Sequence, residues 1–388
     1  SSNIRIHTQN ENGTFSFADY VTTTAENMPS WSLAAGDYNR DGVNDLMYGG
    51  GSGVTFMKSN ESGFEQVSFE PYVFCQRTNF IDLNNDGHLD AFSCHDVQPN
   101  VYFLNDGTGE FDFYQSNVTP GAISLGIFPS GGNYGSIWID YDNDGDQDLF
   151  IAKCRGGSSG AKFNELHRNN GDGTFTDVSV DSNLRDPLQT WSSAWADFDN
   201  DGDMDVVVGA SSFADGSHKF MENNGDGTFS DITAGSGWDT NTSTSIEHIA
   251  HDFNNDGFVD VMGGGSKIMY NLGDGTFVAS STGFGVAAVG DLNNDGRKDV
   301  FFGGSQGFQS AIYLQSEKGF SKKYYSSIAS DSIYEDASSV IGDFNGDKQN
   351  DLVVASGSGQ YAANLVDRFY VGNQLVNAAF ADTKGMNA

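Results

Sequence analysis

Apolar residues come in short runs along the chain, separated by polar, glycine-rich spacers. SIWI (136–139), SAWA (193–196), LFIA (149–152), VVVG (206–209), VFFG (300–303) and LVVA (352–355) show no helical period. Runs this short, bounded by Gly, Asn and Asp, predict β-strands.

One class of spacer repeats. The pattern D-x-[DN]-x-D-x-x-x-D occurs seven times, at 37–45, 82–90, 140–148, 197–205, 252–260, 291–299 and 343–351, with starts 39 to 58 residues apart. Six copies carry Gly at the sixth position, and the seventh has Lys348 there. Each copy lies between two apolar runs, which makes it the loop of a β-hairpin. A second motif near N-G-D-G-T-F follows, clear at 169–175, 223–229 and 272–277 and looser at 105–111, 60–64 and 316–320. Asp-Gly between apolar runs is a turn signal. The unit is therefore two hairpins, or four strands, the period of a β-propeller blade.

These paired hairpins resemble the FG-GAP/VCBS repeats of integrin α-subunit-like propellers and of many secreted bacterial proteins. The resemblance covers nearly the whole chain. It implies an all-β fold: a seven-bladed β-propeller of four-stranded antiparallel blades, with calcium loops in the inner hairpins. The whole of 1–388 reads as one propeller domain. An N-terminal outer hairpin in 1–20 closes the ring or forms an extra layer, and 366–388 holds a C-terminal outer hairpin and tail. An eight-bladed ring is the alternative, but no eighth inner hairpin is visible.

The chemistry of the acidic loops points to calcium, a hard cation that takes six to eight oxygens. Positions 1, 3 and 5 offer side-chain oxygens, glycine at position 6 permits the sharp turn, position 7 offers a carbonyl and position 9 a further carboxylate. The candidate ligands are Asp37, Asn39, Asp41, Val43 and Asp45 in the first loop, and Asp82, Asn84, Asp86, His88 and Asp90 in the second. The third offers Asp140, Asp142, Asp144, Asp146 and Asp148, and the fourth Asp197, Asp199, Asp201, Asp203 and Asp205. The fifth offers Asp252, Asn254, Asp256, Phe258 and Asp260, and the sixth Asp291, Asn293, Asp295, Arg297 and Asp299. The seventh offers Asp343, Asn345, Asp347, Gln349 and Asp351. Position 9 begins the next strand, so the loop differs from an EF-hand, whose closing glutamate comes at position 12. Seven calcium ions per chain would move the formal net charge from −34 to about −20. Magnesium, with its stricter octahedron, fits less well.

The charge of −34 also argues against nucleic acid and anionic membrane surfaces as partners. No apolar run approaches the roughly 20 residues of a membrane span, so membrane insertion is not expected. Three cysteines are too few for a disulfide scaffold; Cys75 and Cys94 flank one acidic loop and are open to pairing, leaving Cys154. Ser1 opens the chain without a charged-then-apolar leader, which fits a processed chain and a trimmed one equally. Millimolar extracellular calcium would keep such loops loaded, so a secreted or cell-surface location is expected.

Function is expected at the end opposite the acidic loops, where the longer connections 113–136, 153–163, 180–190 and 356–367 gather. Trp31, Tyr134 and Trp191 each stand six residues before the first Asp of a loop, at the entry of an inner strand. They are ligand candidates by position, and inter-blade packing is the competing reading. Trp138 and Trp195, two residues before the Asp, read as core. No P-loop, G-x-S-x-G or dinucleotide fingerprint occurs.

The chain therefore reads as a non-catalytic binding, adhesion or assembly module for protein or glycan ligands. One alternative is a polysaccharide lyase-like enzyme or lectin, with a catalytic group drawn from His95, Tyr134, Arg155, His167 and Arg185. The other is a structural subunit of an extracellular polymer, self-associating through the excess hairpin.

Overall fold

A computed structural model describes residues 3–9, 15–21, 32–42, 45–60, 63–244, 247–263, 267–283, 287–293, 295–302, 311–316, 319–323, 336–342, 351–356 and 368–371. Apart from one 3-10 turn at Gly160–Lys162, the regular elements of the described residues are antiparallel strands. β1 (Asn3–Gln9) and β2 (Phe15–Val21) pair as an antiparallel hairpin.

Six four-stranded meanders follow. The first holds β3 (Ser32–Gly36), β4 (Asp45–Gly50), β5 (Gly53–Asn60) and β6 (Gly63–Ser68). The second holds β7 (Cys75–Ile81), β8 (Asp90–His95), β9 (Val101–Asn105) and β10 (Phe111–Gln115). The third holds β11 (Asn133–Ile139), β12 (Asp148–Lys153), β13 (Glu165–Asn169) and β14 (Phe175–Asp177). The fourth holds β15 (Ser193–Ala196), β16 (Asp205–Val208), β17 (Lys219–Asn223) and β18 (Phe229–Asp231). The fifth holds β19 (Ile249–His251), β20 (Asp260–Gly263), β21 (Lys267–Asn271) and β22 (Phe277–Gly283). The sixth holds β23 (Ala287–Gly290), β24 (Asp299–Phe302), β25 (Ala311–Ser316) and β26 (Gly319–Lys323). β27 (Asp336–Gly342), β28 (Asp351–Ser356) and β29 (Arg368–Val371) make a three-stranded sheet.

These strands belong to two compact bodies. One comprises residues 1–25, 252–256 and 283–388, and the other residues 26–251 and 257–282. The larger body contains the first four meanders and, but for Gly283, the strands of the fifth.

Within the larger body, apolar side chains fill the space between consecutive sheets. The second strand of each meander is buried on both faces, as a continuous apolar run requires. In β8, Ala91 joins a cluster with Met47, Phe56 and Phe103, while Phe92 and Cys94 join one with Leu149 and Ile151. In β12, Phe150 and Ala152 turn the other way, toward Val206, Val208 and Met221. Val207 in turn packs with Val261 and Met269. Trp138 and Trp195 are partly buried against these clusters, as expected of core residues.

Pairing of Cys75 with Cys94 is not realised, and all three cysteines are free and buried. Cys75 lies opposite His95, one residue off Cys94, so the pleat sends the two thiols to opposite faces of the sheet. Burial pushes all three thiols up to about 12, which keeps them protonated and unreactive.

Candidate functional site: acidic loops and an aromatic pocket

Each meander runs from its first strand through an acidic loop into its second, so within each sheet the loop lies at one end and the entry of the first strand at the other. The loops share one internal geometry. The first Asp accepts two backbone N–H groups: Asp37 from Asp41 and Gly42 at 3.0 and 2.9 Å, Asp82 from Asp86 and Gly87 at 3.0 and 2.7 Å, Asp140 from Asp144 and Gly145 at 3.0 Å each. Asp197 and Asp291 do the same, and Asp252 accepts from Asp256. The sixth-position glycines take φ from +84° to +101°, as the sharp turn requires.

The fourth position also lies in the left-handed region, at Arg40, Asn85, Asn143, Asn200 and Asn255. Asparagine tolerates that conformation, and here it also links loops. The side-chain amide of Asn85 donates to Asp146 Oδ1 at 2.7 Å, and that of Asn143 to Asp203 Oδ1 at 2.7 Å. Asn200 donates to the carbonyl of Gly257 at 3.2 Å. The repeated asparagine at position 4 was visible in the sequence; its partner in the next loop was not.

In the six described loops the ninth-position carboxylates are buried, and each ties the loop to its own sheet. Asp148 accepts from the backbone of Tyr141 at 3.2 Å and of Asn169 at 2.7 Å. Asp90 and Asp205 repeat this with Leu83 and Asn105, and with Phe198 and Asn223. Asp299 binds Leu292 and Gln315, Asp45 binds Tyr38 and Ser59, and Asp260 accepts from Asn271. Burial, partly offset by these bonds, raises the carboxyls of Asp148 and Asp205 to about 7 and of Asp90 and Asp299 to about 6.

In the third and fourth loops, positions 1, 3 and 9 converge. Asp140, Asp142 and Asp148 bring carboxylate oxygens within 4.8 Å of one another, and so do Asp197, Asp199 and Asp205. Only these two loops carry Asp at position 3, where Asn39, Asn84, Asn254, Asn293 and Asn345 stand elsewhere. The fifth-position carboxylates face the backbone N–H of position 7: Asp144 accepts from Asp146, Asp201 from Asp203, Asp86 from His88 and Asp295 from Arg297. Asp142 Oδ1 is buried with no hydrogen-bond partner. Burial and the charges of Asp144 and Asp140 raise its carboxyl. An orphaned carboxylate oxygen beside two more carboxylates fits a hard cation such as calcium. The position-7 side chains pack on the glycines of the outer turns, His88 over Gly107 and Phe258 over Gly273. Val43 and residues 343–350, with Asp343, Asn345, Asp347 and Gln349, lie outside the described residues, as does the side chain of Asp351 at the start of β28.

At the opposite end, four consecutive sheets contribute to one pocket of about 320 Å³, lined by Gln76, Arg77, Tyr134, Trp191 and Glu247. All five stand five or six residues before the first Asp of a loop. Two of the three aromatic candidates thus meet here, and Trp31 lies outside the described residues. Tyr134 and Trp191 face each other with ring centroids 4.5 Å apart and planes 38° apart. Arg77 Nη2 lies 3.0 Å from Glu247 Oε1 and 3.2 Å from Oε2. Burial alone would lower the Arg77 pKa, but Glu247 more than offsets it, so the guanidinium stays charged. Burial and the charge of Glu247 raise the Tyr134 phenol. Gln76 donates to Asp96 Oδ2 at 3.0 Å.

Trp191 sits at φ +60°. Among the described residues, the other non-glycine positions with positive φ are six asparagines and Arg40. A bulky residue there is strained, and such strain persists where the surroundings over-determine it. Here the carbonyl of Lys153 accepts the N–H groups of both Thr190 and Trp191, and Asn164 holds the Thr190 hydroxyl at 2.7 Å. Lys153 itself is fully buried, with its ammonium 2.6 Å from Glu165. The indole Nε1 of Trp191 is buried and has no partner.

The five residues considered for catalysis have separate surroundings. His95 is buried in β8 with its ring 5.7 Å from that of Tyr72, and burial lowers it to about 4. Arg155 pairs with Asp96 at 2.9 Å, His167 with Glu165 at 2.9 Å, and Arg185 lies 4.9 Å above the Phe163 ring. Tyr134 alone of the five lines the pocket. No helix among the described residues is long and apolar enough to cross a membrane.

Among solved structures, the chain is similar to a lectin from Agrocybe aegerita described as specifically recognising non-reducing terminal N-acetylglucosamine. The identity is 18% over 82% of this chain and 86% of that one, with a TM-score of 0.52. It is also similar to the lectin BP39L from Burkholderia pseudomallei, at 13% identity over 89% and 97% of the two chains and a TM-score of 0.55. BBS1N, solved in complex with ARL6DN, matches at 11% identity over 92% and 94%, with a TM-score of 0.50. Likeness at these identities concerns the fold, which hosts sugar-binding and protein-binding molecules alike. No curated protein matches the chain. The profile of FG-GAP-like repeats matches residues 1–48, 82–151, 140–208, 252–302 and 291–354, more than half of the sequence, and the chain belongs to that family.

Proposed function

We propose that this protein is a calcium-stabilised, seven-bladed β-propeller, secreted or displayed at the cell surface, that binds a glycan or protein ligand without transforming it. The ligand enters at the end of the sheets opposite the acidic loops. The observation that carries this reading is the pocket where strained Trp191 and Tyr134 meet the Arg77–Glu247 pair. It joins an aromatic surface to a few convergent polar groups, the usual make-up of a small-ligand site. Exposed Tyr72, Phe128 and Phe213 lie on connections at the same end. The two lectins of similar fold add support for a sugar ligand.

Calcium supports the scaffold from the other end. The convergent carboxylates of the third and fourth loops and the orphaned oxygen of Asp142 favour bound cations. Extracellular calcium would keep them filled.

The test is a binding screen against immobilised glycans and extracellular-matrix proteins, run in millimolar calcium and again in excess chelator, with metal analysis alongside. Ligand capture that is lost in Trp191→Ala supports the reading. Capture indifferent to Trp191, or a calcium-free protein with an unchanged melt, would overturn its two halves separately.

A further inference from the structure

The chemistry of the pocket is narrower than a general glycan site. Resting on the reading of the pocket as the ligand site, we infer that it takes a single uncharged pyranose ring bearing two adjacent hydroxyls. The ring packs on the Tyr134–Trp191 surface, and the diol is held by Arg77 and Glu247.

Charge comes first. Among the described residues, Arg77 is the one cationic group lining the pocket, and Glu247 already sits 3.0 Å from its guanidinium. A uronate or other acidic sugar would have to displace Glu247 or lie against it. Like charges brought together in a partly desolvated site cost affinity, and breaking the pair adds to that cost. The pocket therefore selects against anionic sugars.

The pair itself provides the positive selection. A guanidinium only donates and a carboxylate only accepts, whereas each sugar hydroxyl does both. Two neighbouring hydroxyls can accept from Arg77 and donate to Glu247 side by side, keeping both protein charges satisfied. Both side chains keep more than a third of their surface open to solvent, so they can reach a ligand without unfolding the site.

Size and rigidity agree with this. About 320 Å³ lies at the low end of the roughly 300–1,000 Å³ of small-molecule sites, which suits one ring and not an extended chain. Tyr134 and Trp191 present an apolar face of the right kind for the C–H face of a pyranose. The Trp191 backbone is fixed by Lys153, so little ordering is needed on binding.

The probe set is methyl hexopyranosides, the matching methyl hexuronides, and hexopyranosides O-methylated at one hydroxyl of each adjacent pair. Binding to the full chain in millimolar calcium is read by tryptophan fluorescence and calorimetry. Expected is weak binding of neutral hexosides, at least tenfold weaker binding of the hexuronides, and a similar loss on O-methylation of one adjacent pair. Glu247→Gln should weaken neutral hexosides about tenfold and strengthen hexuronides, because it leaves Arg77 without its carboxylate. Hexuronides binding as well as hexosides, or hexosides unmoved by Glu247→Gln, would overturn the inference while Trp191-dependent binding kept the pocket reading intact. No sugar bound would overturn the inference and leave the pocket to a protein ligand; binding untouched by both Trp191→Ala and Tyr134→Ala in variants that melt like the parent would overturn both.

Discussion

The carbonyl oxygen of Trp191 lies 2.6 Å from the point where a β-carbon on Gly135 would sit. Gly135 follows Tyr134 in β11, and the missing side chain is what lets the strained Trp191 backbone close against that strand. Gly135→Ala sets a methyl against backbone, which cannot swing aside, and against Ala152 Cβ at 3.3 Å. We expect the Trp191 turn to move, at a cost of about 1–3 kcal/mol. The aromatic pair should separate, with a changed tryptophan emission and lost ligand capture. A Gly135→Ala protein with the parent's emission and melt would show that the close approach is not needed.

The asparagine that ends the third strand, just ahead of each outer turn, should matter more than its neighbours. Asn223 donates to the carbonyl of Tyr141 in the third acidic loop at 2.8 Å and to that of Met204 at 3.2 Å, and accepts from Gly225 N at 3.1 Å. Asn105 and Asn271 make the same bonds to Tyr38 and Phe198. Asn223→Ala removes these bonds and strands buried carbonyls, so a loss of about 2–4 kcal/mol is expected by denaturant titration. Asn224→Ala, which breaks only exposed bonds to Thr228 and Ser230, should cost under about 1 kcal/mol.

These two cases mark what the sequence made legible. The acidic nonapeptides and apolar runs announced the hairpins, because turn chemistry and doubly buried second strands are local signals. The six-residue offset singled out Tyr134 and Trp191, which line one pocket. Arg77 and Glu247 stand one residue closer to their loops, and a charged residue at a strand entry reads as solvated, so their meeting across 170 positions was invisible. Asn223 repeats with the turn, yet its partner Tyr141 lies 82 residues away and offers only a carbonyl. The opposite facing of Cys75 and Cys94 depended on a register of one residue at an irregular strand start.

His248 should make the protein sensitive to acid. Its ring is buried between Gly209 and Gly263, where a β-carbon on either glycine would lie 2.0 and 2.4 Å from imidazole carbons. Neither ring nitrogen has a partner, and the ring of His218 lies 5.9 Å away. Burial, with a contribution from His218, lowers His248 from 6.5 to about 3. Between those values the unfolded chain binds a proton that the folded one does not, so stability falls as the pH drops below 6.5 and levels off near 3. Relative to His248→Met, the parent should lose about 1.4 kcal/mol per pH unit across that window. Parallel stability–pH curves for the two proteins would refute this.

Asp142→Asn should change sign with calcium. In chelator, the parent holds Asp140, Asp142 and Asp148 with carboxylate oxygens within 4.8 Å of one another, one of those of Asp142 orphaned. Removing one charge relieves that repulsion, so the variant should melt at or slightly above the parent. In millimolar calcium the order should reverse. Cation binding to the folded state stabilises by mass action, and the variant has lost a charged ligand and hence affinity. The calcium-induced rise in melting temperature should therefore be smaller in the variant than in the parent. Asp172→Asn, an exposed residue of the outer turn, should leave that rise unchanged. If Asp142→Asn were destabilised equally with and without calcium, Asp142 would be a structural residue of the loop and not a cation ligand.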